Sequence, residues 1–176
     1  MRRAFFPAAL AVLSLTATPA LAAPSCLTAP EAESIVLVAM PEIIRETGTI
    51  CIDRLPPDSL IRQGRGPFID RFDAAAGRAW PDAKAAIVKL SDPMVQTLLQ
   101  SEYARPLLVT LLVPQLVGRI NTGDCAMIDR FVAELAPLPP RNAAGVVVTA
   151  LQFLKSEKAH GKPVDVPDLP LCAEPR

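Results

Sequence analysis

The sequence has little of what most enzymes use for catalysis, since its 176 residues include a single histidine, His160. It contains neither a Gly-x-Ser-x-Gly motif nor a glycine-rich phosphate loop. The sequence therefore lacks the residues that form a nucleophile–base pair or a nucleotide-binding loop. His160 precedes a glycine at a predicted helix end, where a solvated cation commonly complements the helix dipole. We expect no catalytic residue, no metal site and no bound cofactor.

An excess of charge of either sign is also missing. The chain has 18 basic and 18 acidic residues, which excludes the basic face that nucleic-acid binding requires. The closely spaced carboxylates Asp70 and Asp73 are expected to be solvated, because nothing in the pattern predicts the burial that an acid–base pair needs. A hydrolase-type enzyme remains the third hypothesis and would require a buried polar cluster around Glu102, Arg105 or Arg119.

The chain begins with the features of an export signal. Two arginines at positions 2 and 3 precede an apolar run from Ala4 to about Leu15, and small residues follow up to Ala23. This pattern predicts a signal peptide over residues 1–22, cleaved after Ala22 or Ala23. The apolar run is shorter than the ~20 residues of a membrane span, so no transmembrane segment is expected in the mature chain. The abundance of Arg, Ala and Pro is typical of a GC-rich bacterium and favours a periplasmic or secreted location.

The four cysteines lie at positions 26, 51, 125 and 172. An even number in an exported chain predicts disulfides, and the lack of paired Cys-x-x-Cys spacing argues against zinc. We prefer Cys26–Cys172 with Cys51–Cys125, because chain ends often lie close together. The pairing Cys26–Cys51 with Cys125–Cys172 stays open, since a helix after Arg141 would return the tail towards Cys125.

The rest of the chain predicts one all-α domain over residues 23–176, a compact disulfide-stapled bundle of five to seven helices. Thr28 and Glu31 have the spacing of a capping box, Asp92 is placed to start a helix and Pro67 stands at a preferred helix start. Pro81 is expected to break the second helix in two. Residues 162–176 are rich in proline and predict an extended strap.

Two segments of the chain resemble each other. Residues 66–90 and 125–149 share Ile-Asp-Arg-Phe, at 69–72 and 128–131, followed by prolines at 81 and 140. Two duplicated αα-hairpins would produce this match. Any alanine-rich amphipathic helix would produce it as well, so both interpretations stay open.

Residues 106–120 form the most apolar segment after the predicted signal. Apolar residues occupy every face of the predicted helix, so we expect it in the centre of the bundle, with Leu108, Leu111, Leu112 and Leu116 buried. The next helix is amphipathic and is expected to turn Met127, Ile128, Phe131, Val132 and Leu135 inward.

The alternative role of this apolar helix is to line a ligand cavity. That pocket would be lined by Trp80, Tyr103, Leu108, Leu112 and Leu116. The leading hypothesis is an exported, non-catalytic binding or structural protein with an unknown protein partner. The runner-up is a periplasmic carrier of a small apolar molecule or lipid, which requires a void beside residues 106–120.

Overall fold

The structure is a computed structural model and describes residues 26–173. The described chain is all-α, as predicted, and two disulfides staple it. Its six α-helices are α1 (Ala29–Ile50), α2 (Pro67–Leu90), α3 (Pro93–Leu98), α4 (Ala104–Val117), α5 (Cys125–Leu135) and α6 (Pro140–Ala159). Single 3-10 turns at Leu60–Arg62 and Thr122–Asp124 stand before α2 and α5. The predicted signal peptide lies outside the described residues.

Helix α1 occupies the centre of the bundle. Its start is fixed by Glu31, whose carboxylate accepts hydrogen bonds from the backbone and the hydroxyl of Thr28, both at 2.8 Å. Helices α2, α4 and α6 pack on different sides of α1, so that Ala39 has no exposed surface and Leu37 is 3% exposed. The opposing face of α2 is built from alanines such as Ala76 and Ala83, and such small side chains let the two helix backbones approach closely.

Helix α4 was predicted to hold this central position, and that prediction is wrong. Only Ala104, Val113 and Val117 of α4 are buried. Leu111 is 61% exposed, and Leu108, Leu112 and Leu116 are half-buried. Helix α1 takes the centre instead, because it packs against α2, α4 and α6 and disulfide cysteines flank it at both ends. Helix α4 therefore packs on the outside of α1 despite its apolar sequence.

The predicted break at Pro81 does not occur, because α2 continues through it. Pro81 removes one hydrogen bond to the carbonyl of Gly77. Both Pro81 and Gly77 are exposed, so water can bind that carbonyl and the helix continues. Residues 66–90 therefore form one helix, whereas 125–149 form α5 and the first half of α6. The two similar segments do not form a pair of equivalent hairpins.

Helix α5 is held by contacts on one face. The Cys51–Cys125 disulfide fixes its start, and Asp129 accepts a 2.6 Å hydrogen bond from the hydroxyl of buried Ser59. These contacts turn the opposite face outward, so Met127 is 66% and Phe131 51% exposed. The expectation that these two side chains face inward was wrong, because the anchoring contacts outweigh their hydrophobicity.

The two ends of the described chain are joined. Cys26 and Cys172 form a disulfide with a Cα–Cα distance of 4.9 Å, and Leu27 pairs with Leu171 in a parallel bridge. The Nζ of Lys155 donates to the carbonyl oxygens of Leu169 and Leu171, at 2.7 and 3.3 Å. The tail after α6 is thereby fixed against the body of the protein. The cysteine pairing is the one preferred from the sequence.

Candidate functional site

A cleft of about 740 Å³ opens between α1 and α4. Helix α1 contributes one face of successive turns: Val38, Pro41, Glu42, Arg45, Glu46 and Ile50. Helix α4 contributes another face, whose lining includes Arg105, Val109, Val113 and Val117. Asp73 of α2 completes the rim.

The floor of the cleft is apolar because of the spacing along α4. Residues 105, 109, 113 and 117 recur every four positions and so lie on one side of the helix. Val113 and Val117 are each 3% exposed and pack with Ala39 of α1. Beyond Arg105 the stripe is therefore aliphatic, and Val109 is its half-buried member.

Part of the rim is a fixed ionic cluster centred on Arg45. Its Nη2 donates to Asp73 at 2.6 Å, its Nη1 lies 3.4 Å from Glu42, and its Nε donates to the carbonyl of Gly64. Burial alone would lower the pKa of Arg45, but its bonds to Asp73 and Glu42 outweigh this and raise the pKa. Arg45 is thus permanently charged; two of its donor nitrogens join α1 to α2 and to the turn before α2, and the third pairs with Glu42 within α1.

The other two charged residues of the cleft are Arg105 and Glu46. Neither takes part in a salt bridge within residues 26–173. Arg105 is half-buried, whereas Glu46 is exposed to solvent. The cleft thus combines an apolar floor with one partly covered cation that a ligand could reach.

A second cavity of about 90 Å³ lies between α1, α4, α6 and the tail. Its lining is wholly apolar and includes Leu112, Leu116 and Val148. Apolar cavities of this kind stay dry. Helix α4 therefore has imperfect packing on two sides.

The five residues predicted to line a pocket do not lie together. Leu112 and Leu116 line the small cavity, whereas Leu108 and Trp80 pack half-buried against the main core. Tyr103 is 79% exposed and borders neither space. The valine stripe of the cleft was missed, because α4 has a second four-residue stripe of Leu108, Leu112 and Leu116, and the spacing alone does not show which stripe faces α1.

The side of α4 that faces away from the cleft carries a second unusual surface, which we call the outer apolar face. Tyr103, Leu107 and Leu111 recur every four residues and so lie on one side, and they are 79%, 48% and 61% exposed. Met94 and Leu98 of α3 are also exposed, at 76% and 53%. Exposed apolar patches commonly mark a contact surface.

The polar residues considered for catalysis remain apart from one another. Glu102 and Arg119 are exposed, and Arg119 forms a salt bridge with Asp165. His160 caps the C-terminal end of α6 and is exposed. No group of three or more potential metal ligands occurs within residues 26–173. These residues form no buried polar cluster.

No family model, curated protein or solved structure matches this chain. Within the described part of the chain, no helix combines the length and apolarity needed to cross a membrane.

Proposed function

We propose that this protein is a non-catalytic binding protein that carries a small amphipathic molecule in the cleft between α1 and α4. The observation that carries the proposal is the cleft itself. Its volume of about 740 Å³ lies within the range of roughly 300–1,000 Å³ typical of ligand sites. An apolar floor with a few charged groups at the rim is also typical of such sites.

The alternative of a solid bundle is disfavoured by the packing of α4. A helix that is apolar on every face is stable when every face is covered. Instead, α4 borders the large cleft on one side and the small apolar cavity on another. A bound apolar chain in the cleft would cover Pro106, Val109 and Pro114, the apolar lining residues of α4 that keep exposed surface.

A bulky substitution within the cleft tests the proposal. Thr110 is exposed and lines the cleft, whereas Thr149 is exposed on α6 and lies outside it. We expect Thr110→Trp to weaken binding of a fluorescent fatty-acyl probe at least tenfold, because the indole would occupy the space. Thr149→Trp should leave the affinity unchanged. Equal affinities for the two variants would contradict a ligand site in the cleft.

We further propose that the protein is exported and acts in the periplasm or outside the cell. Two formed disulfides support this, since disulfides persist in oxidising compartments. N-terminal sequencing of the mature protein should give Ala23 or Pro24. A start at a lipidated Cys26 would contradict this cleavage site and place the protein on a membrane, and lipidation would consume the sulfur that here bonds to Cys172.

The outer apolar face favours a second candidate function, which is the binding of a protein partner. A photo-crosslinking residue at Leu111, 61% exposed in this face, should then give one cross-linked product of defined mass in the native compartment. The same group at Thr149 should give none. Products of the same pattern from both positions would reject this candidate.

A further inference from the structure

We infer, building on the proposed ligand site in the cleft, that the ligand is a single-chain amphiphile whose carboxylate head pairs with Arg105. The inference depends on how charge is distributed along the cleft. Arg105 stands at the first turn of the cleft-lining face of α4, and three valines follow it on successive turns. At 1.5 Å per residue, Arg105 and Val117 are about 18 Å apart along the helix. A linear molecule with one charged end and an apolar chain matches this arrangement.

The negative charge of the ligand's head group is inferred from the surroundings of Arg105. Arg105 is half-buried as a residue, but none of its nitrogens is fully buried. It takes part in no salt bridge or side-chain hydrogen bond within the described chain. Its guanidinium therefore has accessible donors and no counter-charge from the protein. A ligand carboxylate would supply that counter-charge through charge-assisted hydrogen bonds.

The cleft offers a cationic head group no partly buried carboxylate that lacks a partner. The carboxylates of Asp73 and Glu42 already contact Arg45, at 2.6 and 3.4 Å. The third cleft carboxylate, Glu46, is exposed and keeps its hydration. A cation would have to displace either an existing ion pair or bound water.

The same carboxylates limit the negative charge that the cleft accepts. Glu42, Glu46 and Asp73 line the cleft together with Arg45 and Arg105. A dianion such as a phosphate monoester would be repelled by these carboxylates more strongly than a monoanion. We therefore assign a carboxylate rather than a phosphate head group.

Three probes that share one alkyl chain and differ in head group separate the contribution of the head group to binding from that of the chain. Isothermal titration calorimetry would measure dodecanoate and dodecylamine below their micelle concentrations and dodecan-1-ol below its solubility limit. We expect dodecanoate to bind most tightly. Arg105→Gln should weaken dodecanoate binding about tenfold or more, which is the magnitude of a hydrogen bond to a charged group, and should leave dodecan-1-ol binding unchanged.

Two further variants serve as controls. Arg130→Gln removes an exposed arginine of α5 outside the cleft and should have no effect on any probe. Arg105→Lys keeps the positive charge and should restore part of the dodecanoate affinity, which a merely structural role for Arg105 would not explain.

The possible outcomes distinguish the two proposals. Equal binding of dodecanoate and dodecan-1-ol, or tighter binding of dodecylamine, would overturn the head-group assignment while supporting the cleft as a ligand site. The same assignment fails if Arg105→Gln weakens all three probes equally. Absence of binding by every probe would overturn the ligand site as well.

Discussion

Composition alone would place the apolar helix α4 at the centre of the bundle and the charged helix α1 at its edge. The structure has the opposite arrangement. Helix α1 carries five charged residues, Glu31, Glu33, Glu42, Arg45 and Glu46, and is nevertheless the centre of the bundle. Helix α4 carries one, Arg105, and lies at the edge, where three of its fourteen residues are buried and six are exposed. The apolar character of a helix therefore does not decide by itself where the helix lies.

The charges of α1 connect it to its neighbours. Glu31 contacts Lys89 of α2 at 2.6 Å, Arg45 contacts Asp73 of α2 at 2.6 Å, and Glu33 contacts Arg141 of α6 at 3.6 Å. Because α1 has small and apolar residues between these charges, it can be surrounded while each charge still reaches a partner at the rim. Helix α4 has no equivalent connections within the described residues.

The largest expected effect comes from releasing one end of α1. Replacing both Cys51 and Cys125 with alanine should lower the free energy of unfolding by about 4 kcal/mol, because the unfolded chain loses a long closed loop. The cysteines are fully buried, so the variant also gains a small cavity. Urea unfolding followed by circular dichroism measures the difference. A loss below about 1 kcal/mol would show that this bridge does not stabilise the central helix.

A matched pair of leucine truncations tests the comparison directly. Leu37 of α1 is 3% exposed and Leu111 of α4 is 61% exposed. Leu37→Ala should cost about 2–5 kcal/mol through lost burial and a cavity, whereas Leu111→Ala should change the free energy of unfolding by less than about 0.5 kcal/mol. Thermal unfolding of both variants is the measurement. Similar losses would mean that α4 is buried in the protein in solution.

Two glycines within helices provide a second matched pair. A Cβ at Gly48 of α1 would stand against the backbone carbonyl of Ile61, well inside normal contact, whereas one at Gly77 of α2 would meet open space. Gly48→Ala should therefore destabilise the protein by about 1–3 kcal/mol. Gly77→Ala should stabilise it by about 0.5–1 kcal/mol, because alanine favours the helix. A shift of the melting temperature in the same direction for both variants would contradict this prediction.

The smallest expected effect is the loss of the ion pair between Glu31, at the start of α1, and Lys89. This effect depends on pH. The hydrogen bond from Lys89 lowers the pKa of Glu31 and outweighs the opposing effect of burial. A carboxylate with a lowered pKa stabilises the fold above its unfolded value of 4.5, and this contribution disappears as the pH falls through the folded-state pKa. Glu31→Gln should therefore lose about 1 kcal/mol at pH 7 and progressively less below pH 4.5.

The control for this experiment is Glu102→Gln, which changes an exposed glutamate just before α4. Thermal melts between pH 3 and pH 7 should show no difference between this variant and the parent protein. A stability gap for Glu31→Gln that stays constant with pH would argue against the lowered pKa of Glu31.

Local features of the fold could be predicted from the sequence, because each depends on a few neighbouring residues. The start of α2 at Pro67 and the Asp92 cap of α3, which accepts from the backbone of Met94 and Val95, are of this kind. Gly161, with a φ of 80°, ends α6 in the same way. The pairing of the ends through Cys26 and Cys172 also followed from a general property of folded domains.

Features that depend on packing between distant segments could not be predicted in this way. The continuity of α2 through Pro81 depends on solvent access to one carbonyl group. The outward direction of Phe131 depends on a hydrogen bond across 70 residues, from Ser59 to Asp129. The cleft depends on which face of α4 meets α1, and a helix that is apolar all round gives no indication of that face.

The covalent closure of the chain ends has a mechanical consequence. If the molecule were held by residues before Cys26 and after Cys172 and pulled, the load would pass through the Cys26–Cys172 bond. The six helices would lie outside the load path and experience almost no tension. In an optical-trap experiment, the oxidised protein should therefore extend by only a few residues at forces that unravel ordinary helical bundles. After reduction of that bond, the same force would act on the bundle itself.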